Sequence, residues 1–242
     1  MKINIEGIVI SQNAYKEKDA MVSALTKDGI VSFLARSIIS ITSKNKAACL
    51  PFSYSQFTLN SKLDKLILSQ GTLIKSYSHF YDSLDCLSSV NLINECIIKF
   101  VDEDNTTLYQ YLKKYLELLD RGFDEVTLTL IMLAQIIKSS GYALEFNSCV
   151  LCNSKTNIVG ISYSKGGYIC KKCLENNVYK LSREYLKTYR YVFMVPYDML
   201  SHYVISNDVG LDLIRKFCKY LVDSFGYKEI KALEIYNTTK KQ

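Results

Sequence analysis

Cys149 and Cys152 form one C-x-x-C pair and Cys170 and Cys173 a second, with seventeen residues between the pairs. This spacing is that of a tetrahedral zinc site made of two cysteine knuckles. Four thiolates fill the coordination sphere of Zn²⁺ and leave no position for water or substrate. Such an ion, one per chain, holds structure and catalyses nothing. Two disulfides, or four unrelated thiols, are the alternatives. Disulfide frameworks belong to short, cysteine-dense chains in oxidising compartments. Eight cysteines in 242 residues, with nothing resembling a secretory segment, fit that poorly. A thioredoxin-like redox pair needs only one C-x-x-C beside a strand–helix unit. Zinc is the favoured reading. Residues Ile158–Ser162 and Tyr168–Ile169 are strand-like runs around Lys165-Gly166-Gly167, which reads as a hairpin turn. Both cysteine pairs then fall at the same end of a small ribbon.

Little else in the chain has the spacing of a reactive site. There is neither a G-x-x-x-x-G-K-[ST] phosphate loop nor a G-x-G-x-x-G turn. The two histidines, His79 and His202, have no ligand spacing to each other or to a cysteine. The run Asp102-Glu103-Asp104 ends a helical pattern and reads as a solvated turn. Cys49, Cys86, Cys96 and Cys218 have no ligand spacing and read as structural thiols. A binding protein fits better than an enzyme.

Charge supplies the candidate surface. The net charge of +6 divides as +5 over residues 1–80, −6 over 81–148 and +7 over 149–242. A basic–acidic–basic layout suits two surfaces that meet a polyanion, and it equally suits ordinary solvated faces. Arg36, Lys44, Lys46, Lys62 and Lys65 flank the strands and a long loop of the first part and are the candidate phosphate contacts. Tyr54 and Phe57 are candidates for base stacking, against core packing as the alternative. Lys171 and Lys172, between the last two metal ligands, offer a second contact or are simply exposed.

The elements that must carry these residues follow from periodicity. Runs at Ile3–Ile10, Met21–Thr26, Ile30–Ala35, Tyr54–Leu59 and Leu66–Tyr77 read as five strands, with turns at Lys27-Asp28-Gly29 and Leu63-Asp64-Lys65. Five short strands in about eighty residues suit a small barrel such as the OB fold, with a sandwich as the alternative. Ser37–Leu50 has no period and reads as a mobile loop. From Leu84 the period becomes helical, with helices to Val101, from Thr106 to Leu119, and from the cap Asp124 to Ile137. The last is apolar all round, as the centre of a bundle would be. Ser182 and Asp208 are candidate caps of two later helices, Pro196 starts a short turn between them, and the tail after Asn237 reads as frayed. No apolar run approaches the roughly 18 residues that cross a bilayer. A cytoplasmic protein is expected.

In their order, several short motifs make the chain resemble the bacterial RecO recombination-mediator family. They are Gly7-Ile8-Val9-Ile10, Tyr15, Glu17, Asp19, Leu25-Thr26, Gly29, Leu50-Pro51-Phe52, Gly141-Tyr142, the four cysteines and Gly166-Gly167. The resemblance covers nearly the whole length. It implies an α+β protein with an N-terminal five-stranded OB-fold barrel over residues 1–80. An α-helical domain over 81–242 follows, with a four-cysteine zinc module inserted at about 146–178. It also implies binding of single- and double-stranded DNA, annealing of complementary strands, and loading of RecA with RecR onto strands covered by single-strand-binding protein. The expected place is the cytoplasm, at the nucleoid during repair. The chain departs from the family pattern at Leu34-Ala35-Arg36-Ser37, which keeps one basic residue. It departs again at Leu130-Ile131-Met132-Leu133 and Lys231-Ala232-Leu233, so no pocket for an acidic tail is carried over. Two other functions stay open: a nucleic-acid-modifying enzyme whose zinc ribbon only grips substrate, and a helical scaffold that binds protein alone.

Overall fold

Alternating apolar residues close the first part of the chain into a barrel. The computed structural model describes residues 2–62, 65–77, 79–101, 106–175 and 178–240. Five strands, β1 (Lys2–Ala14), β2 (Ala20–Thr26), β3 (Gly29–Ala35), β4 (Tyr54–Lys62) and β5 (Lys65–Lys75), form a closed sheet in the order β1-β2-β3-β5-β4. All neighbours are antiparallel except β3 and β5, which meet in parallel at Leu34 and Ile67. The inward set Val9, Ala20, Val22, Ala24, Phe33, Ala35, Phe57 and Leu59 fills the interior, as the two-residue period of a strand demands. The β2–β3 turn is closed by the Thr26 hydroxyl, which donates to Gly29 O at 2.9 Å, and Gly29 takes φ +113°.

The long connection from β3 to β4 is not the mobile loop that its composition predicts. Ile38, Ala48 and Cys49 are buried in the barrel core, the last two in a 3-10 turn at Ala47–Cys49. Ser53 Oγ donates to Ala48 O at 2.8 Å, and Phe52 N–H reaches Val9 O at 2.8 Å. A barrel of five short strands has an open end, and these apolar residues fill it.

The helices are α1 (Leu84–Phe100), α2 (Thr106–Asp120), α3 (Glu125–Ser139), α4 (Arg183–Met194), α5 (Asn207–Phe225) and α6 (Lys231–Thr239), with the hairpin β6 (Ile158–Ser162) and β7 (Gly167–Cys170) between α3 and α4. The chain divides into two compact units. One holds the described residues up to Asp82 together with α2, and the other holds α1 and the described residues from Gly122 on. By periodicity α2 joins the helical part. In the structure it accompanies the barrel, with Thr106 Oγ1 donating to Lys27 O at 2.6 Å and Lys113 Nζ 4.2 Å from the centre of the Tyr54 ring.

In the second unit α3 is central, every residue from Val126 to Ile137 being buried. It packs on α1, α4 and α5. Its cap is Asp124, which accepts from Thr127 N–H at 2.8 Å. Helix α5 starts at Asn207, so Asp208 lies in its first turn and is not its cap; the preceding Ser206 turns its hydroxyl to Glu184 instead. Helix α6 runs two residues past Asn237, into the tail expected to be frayed. Its own N-cap, Ile230, has no capping side chain. The carboxylate of Glu95, on α1, substitutes by accepting from Lys231 N–H at 3.0 Å and Ala232 N–H at 2.7 Å. Beyond its last turn Lys240 pairs with Glu125 and Asp85. The expected turns at Leu63-Asp64 and Asp102–Asp104 lie outside the described residues.

Candidate metal centre and nucleic-acid surface

The β6–β7 hairpin delivers the four cysteines to one point. Gly160, Ile161 and Ser162 pair with Ile169, Tyr168 and Gly167, and Ile158 pairs with Cys170. Each pair of cysteines flanks a tight turn with an asparagine in the left-handed region near it: Asn153 at φ +58° and Asn157 at φ +55°. Asparagine tolerates that conformation better than most side chains. Asn153 N–H donates to Cys149 O at 2.8 Å, Cys149 N–H to Ser154 O at 2.8 Å, and Lys171 N–H to Asn157 O at 2.9 Å. A third strand-like contact comes from Glu145, which bridges Gly167 in parallel and accepts from Tyr168 N–H at 3.2 Å. Only glycine fits at 167, because a Cβ there would stand 2.3 Å from Glu145 O.

All four sulphurs lie within 4.8 Å of one another, and Cys152 Sγ is 3.6 Å from Cys170 Sγ. A disulfide would bring a pair to about 2.05 Å; all four are free thiols. Sulphurs around a tetrahedral zinc with bonds of about 2.3 Å lie roughly 3.8 Å apart. The cluster can therefore hold a metal ion with small adjustment, and its donor set suits zinc. Burial pushes the Cys149 thiol up, but the N–H groups of Cys170, Leu151 and Cys152 outweigh it and bring it down to about 6. Hydrogen bonding to Cys152 is the main influence pushing Cys173 up to about 12. Metal binding takes thiolates, so its affinity depends on pH and it releases protons. Cys170 and Cys149 are buried, whereas Cys152 is exposed.

The five basic residues singled out on the barrel do not form one cluster. Lys62 and Lys65 face each other as the last pair of the β4–β5 hairpin. Lys44 and Lys46 flank Asn45, whose Oδ1 accepts from Gly71 N–H at 3.0 Å. Gly71 is six residues along β5 from Lys65, or roughly 20 Å at about 3.3 Å per residue. Arg36 follows β3, and the next N–H, that of Ser37, donates to Asp19 Oδ1 at 2.8 Å. This brings it to the β1–β2 loop, where Lys16 and Lys18 are exposed. The proximity of those two lysines to Arg36 was not legible from sequence, because the fold alone joins their loop to it.

The stacking candidates are corrected. Phe57 is wholly buried against Phe33 in the barrel core. Tyr54 is 8% exposed and donates its hydroxyl to Glu6 Oε2 at 2.7 Å. Tyr15, in the β1–β2 loop, is 55% exposed and is the aromatic that this face presents. Lys171 and Lys172 are exposed on the second cysteine knuckle.

Comparison with known proteins agrees with this layout. Residues 1–77 match the family model "Recombination protein O N terminal" and residues 82–228 match "Recombination protein O C terminal". A protein of Listeria monocytogenes named DNA repair protein RecO is 26% identical over 232 residues, covering 94% of this chain and 91% of the relative. Proteins of the same name from Halalkalibacterium halodurans and Bacillus subtilis are each 27% identical, covering 76% and 75% of this chain and 75% and 72% of their own lengths. With both of its parts matched and the barrel, helices and cysteine cluster in place, the chain belongs to the RecO family of recombination proteins.

Proposed function

We propose that this protein is a non-enzymatic DNA-binding recombination mediator. It holds single- and double-stranded DNA, anneals complementary strands and, with RecR, assists loading of RecA onto strands covered by single-strand-binding protein. Its cofactor is one structural zinc per chain on Cys149, Cys152, Cys170 and Cys173, and it works in the cytoplasm. The observation that carries the reading is the strand order of the barrel combined with the position of its cations. An OB-type barrel meets oligonucleotides on strands 2 and 3 and through its β1–β2 and β4–β5 loops. In this chain the first of those loops exposes Tyr15, Lys16 and Lys18 next to Arg36, and the second ends in Lys62 and Lys65. Relatives named DNA repair proteins support the polyanion being DNA.

Such cations neutralise phosphates and release counterions, and they lower the repulsion that a second strand meets. Binding of a labelled oligonucleotide should weaken steeply as salt rises. Replacing Arg36, Lys44 and Lys46 together by Ala should lower the slope of log K against log salt by about 2 on single strands and slow annealing. Salt-independent binding would reject the mechanism. Unchanged annealing by the triple variant would reject that loop as the contact. A mass change in DNA incubated with the protein would reject the non-enzymatic reading.

A further inference from the structure

We infer that the exposed face of α4, together with Tyr203, is a second site for single-stranded nucleic acid, separate from the barrel. The inference rests on the nucleic-acid reading above and adds a site to it. Helix α4 buries Tyr185, Thr188, Tyr189, Val192 and Phe193. Its opposite face exposes Arg183, Lys187 and Arg190, which recur at four- and three-residue steps and so lie in one row along the helix. Among the described residues none of these three cations has an ion pair. Beside the row runs a groove lined by Arg183, Glu184, Lys187, Thr188, Tyr191 and Tyr203. Its carboxylate, Glu184, is already engaged as the acceptor of the Ser206 hydroxyl at 3.0 Å.

Tyr191 and Tyr203 meet edge to face, with centroids 5.5 Å apart, and Tyr203 is 47% exposed. A row of unpaired cations next to an exposed aromatic ring is what a single strand requires: charge for its phosphates and a surface for a base. An acidic peptide would also meet the cations. However, among the described residues the groove is lined by tyrosine rings, a threonine and charged side chains, with no branched aliphatic side chain to receive an apolar anchor.

The zinc module supports this face. Tyr168 of β7 donates its hydroxyl to Leu186 O at 2.5 Å, Arg190 Nη2 donates to Asn147 Oδ1 at 3.4 Å, and Phe146 stacks on Phe193 with centroids 5.1 Å apart. These contacts tie α4 to the segment that carries the cysteines.

The test uses the zinc-loaded full chain and fluorescent oligothymidylate over a range of salt. Arg183→Ala with Lys187→Ala should weaken binding about tenfold and reduce the salt slope by about 1.4, from about 0.7 per phosphate contact. Tyr203→Ala should weaken binding about tenfold and leave the slope unchanged, since a stacked base carries no counterion. Both changes should add to those of the Arg36, Lys44 and Lys46 variant. The double variant spares Arg190 and its bond to Asn147, and zinc content and melting verify its fold. Affinity and slope equal to those of the unaltered protein would overturn the second site while leaving the barrel reading intact. Displacement of the oligonucleotide by poly-glutamate at equal charge would assign the face to acidic polypeptides and overturn it as well. Absence of binding by the unaltered protein would overturn both readings.

Discussion

The β4–β5 and β6–β7 hairpins of this protein stand on different physical ground. The β4–β5 hairpin pairs strands of nine and eleven residues, and its inward side chains, Phe57 and Leu59 among them, join a closed core. The β6–β7 hairpin has strands of only five and four residues. A two-stranded ribbon that short is marginal in water. Ile161, Tyr168 and Ile169 are buried, with Tyr168 against Tyr189 of α4, and four sulphurs gathered within 4.8 Å and a backbone contact from Glu145 add to that packing. Where apolar burial suffices, the barrel tolerates irregular connections. The short ribbon leans in addition on a few atoms, the four sulphurs and the Glu145 backbone, being in place.

Metal removal is the strongest way to separate the two. Structural zinc contributes about 10–16 kcal/mol of apparent binding in small zinc-finger peptides. Chelation, or Cys170→Ser, should release the metal and raise hydrogen exchange over β6, β7 and the segments around them, leaving β1–β5 protected. Uniform loss of protection would show that the barrel needs the metal too. The converse test is Phe57→Ala, which empties the centre of the barrel and should cost about 3–5 kcal/mol without changing zinc content. Gly167→Ala probes the backbone contact. Its Cβ would overlap Glu145 O, and with φ at +148° a loss of about 1–3 kcal/mol is expected, seen as weaker zinc retention in a chelator competition.

The smallest effect distinguishes the ribbon from the helices that carry it. Burial pushes the Glu95 carboxyl up, but the Lys99 ammonium and the N–H groups of Ala232 and Lys231 outweigh it and hold the group below its ordinary value of 4.5. A carboxylate whose folded pKa is depressed contributes stability that is present above its unfolded value and is lost as pH falls through the folded one. Glu95→Gln should therefore cost about 1 kcal/mol near neutrality, the worth of a cap. The difference from the unaltered protein should close as pH falls below 4.5. A gap that stays constant on acidification would mean the carboxylate charge is not what holds α6.

Features with a local period were legible in the sequence, and features that depend on a distant partner were not. The five strands, α1, α3 and the four cysteines have spacings that narrow each to one or two arrangements. Asp124 as a cap and Gly29 in a turn follow from their own neighbours. The segment Ser37–Leu50 has no period because it plugs an opening, and only three of its residues, Ile38, Ala48 and Cys49, enter the core. Helix α6 is short and is capped by Glu95, more than a hundred residues earlier, so nothing near it announces a start. Among the site residues, Phe57 occupies an inward strand position that its alternation with Thr58 and Gln56 implies. The proximity of Arg36 to Lys18 depends on which loops the closed sheet brings together.

The chain enters the helical unit with α1, returns to the barrel unit with α2, and leaves again for α3. The two units are therefore interlaced along the sequence, and no single cut separates them. A fragment ending near residue 80 would lack the partner that Lys27 and Tyr54 find on α2. During synthesis the first unit cannot be completed until α2 has left the ribosome, by which time the whole of α1 has emerged and must wait for helices not yet made.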